Sequence, residues 1–100
     1  MRNVYENVPS NQIEKQKRYF YGAILDVLYK FEDGYPFLDN RLQNIINQVQ
    51  GSNELFGNAP QVLTICALLR TAREDHSQLR RCVLNAINLV DSLEGGDSYV

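Results

Sequence analysis

His76 and the two cysteines, Cys66 and Cys82, are the side chains of this chain best suited to chemistry at neutral pH. A Cys–His pair would make a thiolate nucleophile, and a cluster of such groups would hold zinc. Their spacing argues for neither. Cys82 follows His76 by six residues, which sets the two on poorly matched faces of a helix. Cys66 and Cys82 both fall on apolar stripes of helical period, where a thiol packs as a small hydrophobe. His76 stands beside Asp75 at the head of a helix, and capping accounts for that pair. The carboxylate pairs Glu32-Asp33 and Glu74-Asp75 also sit at helix boundaries, as solvated ends. No glycine-rich phosphate loop or nucleotide fingerprint occurs, Gly95-Gly96 being an isolated pair. The chain is therefore expected to be no enzyme and to use neither metal nor cofactor.

The elements that carry these residues follow from the apolar period. Ile13, Phe20, Ile24, Val27, Leu28 and Phe31 recur at steps of three, four and seven, predicting a helix over 12–32. Asn11 and Glu14 supply its capping box, after a polar lead-in at 1–11. Asp33-Gly34-Tyr35-Pro36 ends it, since glycine permits a left-handed cap and proline cannot continue the ladder. Leu38, Leu42, Ile45, Ile46 and Val49 predict a second helix from about Phe37–Asp39 to Gly51. Residues 52–57 have room for one turn, with Leu55 and Phe56 tucked against the core.

Asn58-Ala59-Pro60-Gln61 reads as an N-cap, a first-turn proline and a capping-box glutamine. The stripe Val62, Ile65, Cys66, Leu69 and Ala72, widened by Leu63 and Leu68, predicts a third helix central to the bundle. Asp75-His76-Ser77-Gln78 opens a fourth, whose apolar positions run from Leu79 through Cys82, Val83, Ala86, Ile87 and Val90 to Leu93, before Gly95-Gly96. No segment alternates with period two. The expectation is an all-α, compact, mostly antiparallel bundle of five to six helices, four long and one or two short, over 12–96. Residues 97–100 would be a tail or the start of a linker.

With 100 residues the chain has the size of one domain, and 44% hydrophobic against 22% charged residues suits a globular one. No apolar run approaches the ~20 residues that cross a bilayer, and the first residues lack the apolar core of a signal peptide. With reduced, packed cysteines, this points to the cytoplasm. A net charge of −2 gives no electrostatic reason to expect nucleic acid as the main partner.

The layout of charge says more than its sum. Arg70, Arg73, Arg80 and Arg81 gather about the connection between the last two helices, and Asp26, Glu32, Asp33 and Asp39 about the connection between the first two. The bland reading is a set of solvated charges balanced by their neighbours. The functional one is a basic corner and an acidic corner that, lying apart, dock one copy onto another or onto a related domain. Tyr19, Tyr21, Tyr29 and Tyr35 cannot all face inward from one helix and its following loop. They are either docking anchors, Tyr29 and Tyr35 foremost, or half-buried rim residues. A nucleic-acid or transcription-type partner held by the arginines is the alternative reading, and an accessory subunit of a helical enzyme a third.

A family likeness adds to this. Ile24-Leu25-Asp26-Val27-Leu28, then Asn40-Arg41-Leu42-Gln43-Asn44-Ile45, a polar turn, Val62-Leu63-Thr64-Ile65-Cys66, Leu84-Asn85-Ala86-Ile87 and the ending Leu93-Glu94-Gly95-Gly96-Asp97-Ser98 occur in that order. This order resembles the effector-associated domains of bacterial conflict systems, small helical adaptors likened to the death-fold domains of animal immunity. It covers residues 13–98 and rests on apolar spacing, an Arg at the head of the second helix and the Leu-Glu-Gly ending. Residues 1–12 have no counterpart in it. The resemblance implies a death-fold-like bundle without catalytic residues. Such a bundle brings effector and sensor together in antiphage defence by pairing with a similar helical domain or with itself. It also implies that Gly95-Gly96-Asp97-Ser98 is where a linker to an effector would begin.

Overall fold

Apolar residues three and four apart leave each helix one face to hide, and four such faces close on one core. The computed structural model describes the backbone of residues 4–94 and the side chains of residues 12–94. Its helices are α1 (Val4–Glu32), α2 (Leu38–Gly51), α3 (Pro60–Glu74) and α4 (Leu79–Asp91), with a 3-10 turn at His76–Gln78 leading into α4. There is no strand among the described residues. The all-helical expectation holds, with four helices and one short turn in place of five or six helices. Residues 52–58 form successive turns, although Phe56 is buried within them as expected.

The helices stand in a ring. α1 packs on α2 and α4, and α3 packs on α2 and α4, while α1 and α3 lie diagonally across the core. Tyr19 on α1 reaches Gln48 on α2 (3.0 Å), so these two run antiparallel. Cys66 on α3 lies against the Ile46 carbonyl on α2, and Arg73 bonds Gln43. Residues late in α3 thus meet residues early in α2. Lys17 donates to the carbonyl of Asp91 (3.1 Å) while Arg80 meets Glu32, which sets α4 antiparallel to α1. Up-down-up-down order follows, and no helix is central: α3 has two neighbours, like the rest.

The interior is filled by Phe20, Ile24 and Val27 from α1, Leu42, Ile45, Ile46 and Val49 from α2, Val62, Ile65, Cys66 and Leu69 from α3, and Leu79, Cys82, Val83, Ala86 and Val90 from α4. Each fully buried Leu, Ile, Val or Phe contributes about 1.5–3 kcal/mol relative to exposure. Leu63 departs from expectation: it is 63% exposed on the outer face of α3. Two helix starts differ as well. α1 begins at Val4 and runs through Pro9 and Asn11, so the polar lead-in is helical from Val4 onward. Propagating a helix already nucleated by its packed turns costs far less than starting one, and Pro9 removes only one amide donor. α3 is capped by extended Ala59, because Asn58 sits at φ 57° directly after Gly57 at φ 65°. Asn58 tolerates that left-handed turn, and its side chain accepts from Asn53 (2.9 Å) instead of capping the helix.

At about 1.5 Å per residue, α1 is roughly 44 Å long and the other helices about half that. It sets the long dimension of a body measuring 49 × 24 × 19 Å.

Candidate functional site

The end of α1 makes the corner at which the candidate residues collect. The amide of Gly34, at φ 76°, donates to Phe31 (3.2 Å) and that of Tyr35 to Lys30 (2.9 Å). This is the paired closure of a glycine-terminated helix. Pro36 forbids any continuation, and α2 begins within two residues. Four aromatic residues are thereby brought to one end of the bundle: Phe31, Tyr35, Phe37 and, one turn earlier on the outer face of α1, Tyr29. The 3-10 turn arrives from the opposite side of the ring. Asp75 caps it, accepting from the backbone N–H and the hydroxyl of Ser77 (3.1 and 2.6 Å). These two bonds, the hydroxyl's foremost, hold the Asp75 carboxyl below the usual carboxylate range.

The expected acidic and basic corners are one corner. Arg80 pairs with Glu32 across α4 and α1 (2.5 Å), and His76 with Asp39 across the 3-10 turn and α2 (2.8 Å). Lys30 pairs with Asp26 one helical turn back (3.5 Å). Arg81 donates to Gln78 (2.9 Å). The reading of two separated, complementary patches is therefore corrected: the connections that carry the charges lie at the same end, where Arg80 and Glu32 pair with each other and Asp26, Asp39 and Arg73 meet Lys30, His76 and Glu74. Asp33 has no ion-pair partner among the described residues.

The arginine group is also divided. Arg70 and Arg73 lie on α3, where Arg73 bonds Gln43 of α2 and pairs with Glu74 (3.6 Å), whereas Arg80 and Arg81 open α4. Arg41, one turn into α2, has its Nε enclosed without an acceptor. Burial pushes the Cys66 thiol above its usual range, with the Arg70 charge opposing. Cys82 lies in the core, away from solvent. His76, which capping alone seemed to explain, also meets Phe31 edge-on at 5.9 Å. No cluster of three or more metal-ligating side chains occurs among the described residues. No described helix is long and apolar enough to cross a membrane.

What the ion pairs leave open is aromatic. Phe37 is 60% exposed and Tyr29 57%, with Tyr35 less so. Tyr35 and Phe37 stand at 74° to each other, ring centres 5.9 Å apart, and the Lys30 ammonium sits 4.8 Å over Tyr35. Beside them lies a cleft of about 470 Å³, lined chiefly by Phe31, Tyr35, Phe37, Asp39 and His76. Tyr29 and Tyr35 were expected here; Phe37 and the His76–Asp39 contact were not. Phe37 reads as a helix-opening apolar residue, and only its position ahead of buried Leu38 shows that it faces out. Tyr19 and Tyr21 lie toward the other end of α1, Tyr19 bonded to Gln48. No protein-family model, curated protein or solved structure matches this chain.

Proposed function

We propose that this chain is a non-catalytic protein–protein interaction module. It acts as an adaptor of the death-like type, which pairs with a similar helical domain on a partner or with a second copy in bacterial defence signalling. The observation that carries the reading is the aromatic corner. Tyr29, Tyr35 and Phe37 stand exposed at one end of the bundle, while the neighbouring Lys30, Glu32, Arg80 and Asp26 are engaged with each other. Exposed aromatic side chains over a neutralised rim fit an interface anchor, since aromatics concentrate binding energy where charge need not be stripped of water. The resemblance of residues 13–98 to effector-associated domains supplies the biological setting, and a cytoplasmic location goes with it. The alternative, nucleic-acid binding through the arginines, gains nothing from their division between α3 and α4 and the engagement of Arg73, Arg80 and Arg81 with acids and amides.

Light scattering at rising protein concentration tests the reading, together with capture by any helical domain encoded beside or fused to this chain. The expected result is pairing that raises the mass above 11.5 kDa and that Phe37→Ser abolishes without unfolding the chain. A protein that stays at 11.5 kDa and binds no such domain overturns it.

A further inference from the structure

The cleft beside the α1–α2 turn has a composition that selects its occupant, and the inference rests on the docking role just proposed. Its walls are aromatic: Phe31 at the back, Tyr35 and Phe37 at right angles to one another. Its polar lining is the Asp39 carboxylate with Asn40 and His76, and among the described residues the side chain that touches Asp39 is His76 (2.8 Å). The cations on neighbouring turns are engaged elsewhere, Lys30 with Asp26 and Arg80 with Glu32. Arg41 lies two residues beyond Asp39, about 200° around α2, and so on another face. The cleft therefore offers ring faces beside a carboxylate whose contact within the chain is an imidazole. Ring faces carry negative potential and attract cations, and the Lys30 ammonium over Tyr35 shows this attraction operating within the chain.

We propose that this cleft receives an arginine side chain of a protein partner, its guanidinium stacked on Phe37 and hydrogen-bonded to Asp39. Three features favour arginine. A guanidinium is flat, so it can lie on the exposed Phe37 ring while its edge forks to a carboxylate. It is more weakly hydrated than an ammonium, so a half-open cleft recovers more of the lost solvation. At about 470 Å³ the cleft has room for one long side chain and a few waters, and not for a helix. An apolar anchor would leave Asp39 beside it without a new partner, and an acidic one would meet the Asp39 carboxylate.

The test is a titration of the isotope-labelled chain, followed by amide NMR, with the capped tripeptide Gly-Arg-Gly. The same tripeptides with citrulline, with lysine and with three prolines are the controls. Arginine should move the amide signals of Tyr35, Phe37 and Asp39. Citrulline, which keeps the shape and removes the charge, should bind about two- to fivefold more weakly, as expected for one cation–π contact at an exposed site. Phe37→Ala and Asp39→Asn should each weaken arginine binding by about the same factor. Asp39→Asn retains an acceptor for His76, and well-dispersed spectra establish that both variants are folded. The proposal is overturned if citrulline, lysine or proline binds as well as arginine, if the shifts fall elsewhere, or if either folded variant binds unchanged. Failure here leaves pairing untouched, and a chain that binds arginine but stays monomeric and captures no similar helical domain overturns the adaptor reading alone.

Discussion

Phe37 and Phe56 are the same side chain in two connections between helices, and truncating each to alanine should have unequal consequences. Phe56 is 2% exposed, and it is the large side chain that anchors the turns at residues 52–58 to the core. Its removal forfeits the transfer of a full ring and leaves a cavity bounded by helices held in place by their other contacts. Such changes cost about 3–5 kcal/mol. Phe37 is 60% exposed. The cover it has is less than half that of a buried ring, no cavity forms behind it, and the loss should be about 1 kcal/mol or less. Urea denaturation distinguishes the two cases. With a slope near 1.5 kcal/mol per molar, Phe56→Ala should lower the midpoint by about 2–3 M and Phe37→Ala by well under 1 M, both with the slope unchanged. If Phe56→Ala leaves too little folded protein to titrate, Phe56→Leu gives a smaller shift of the same sign. Equal shifts would refute the reasoning twice over. Phe56 would not be the anchor of its connection, and Phe37 could no longer be altered as a docking residue independently of the fold.

Two further outcomes follow from the polar contacts at the same end. The Asp75 carboxyl is held below its usual range by Ser77, so the unfolded chain binds that proton more tightly than the folded one. Its contribution is full above the unfolded value near 3.8 and disappears as the pH falls through the folded one. Stability measured on lowering the pH through 4 should therefore fall more steeply for the wild type than for Asp75→Asn, and parallel profiles would contradict the cap. Arg80→Glu should set two carboxylates together at Glu32 and cost up to about 1 kcal/mol, because both partners are substantially exposed. Adding Glu32→Arg should restore the loss, and 1 M salt should shrink the effect as the screening length falls to about 3 Å. A loss that the reversed pair does not recover would mean that the two side chains are not coupled.

The apolar period was a reliable guide wherever a helix had one face to hide. Every residue of the α2 and α4 stripes expected to be inside is buried, and so is the α3 stripe from Val62 to Ala72. Misjudgement began where local rules compete. Asn58 has the side chain of an N-cap, but following Gly57 in a left-handed turn it takes up the backbone conformation that asparagine tolerates, and Ala59 takes the capping place. Leu63 is next to a stripe residue and apolar, yet sits on the outer arc of α3, because a ring of four gives each helix only two neighbours. Nothing local to Pro9 announces that α1 passes through it, since that outcome depends on the packed turns from Ile13 onward.

The charges were the larger misjudgement, although the information that corrects them was present in the expected topology. In an antiparallel ring of four helices taken in order, the first and third connections necessarily lie at the same end. Acids about the first and arginines about the third are therefore brought together by the fold itself, as Glu32 with Arg80 and Asp39 with His76 show. Their separation along the sequence, a run of more than 35 residues from Asp39 to His76, measures the length of the intervening hairpin and not a distance on the surface. Under the docking role proposed, specificity would come from what the pairing leaves over. At this end that is the exposed ring of Phe37, the edge of Tyr35, and the Asp33 and Asp39 carboxylates, which no arginine among the described residues reaches. A surface of that kind discriminates through one inserted side chain more than through broad complementarity, so single substitutions in a partner should decide whether it binds.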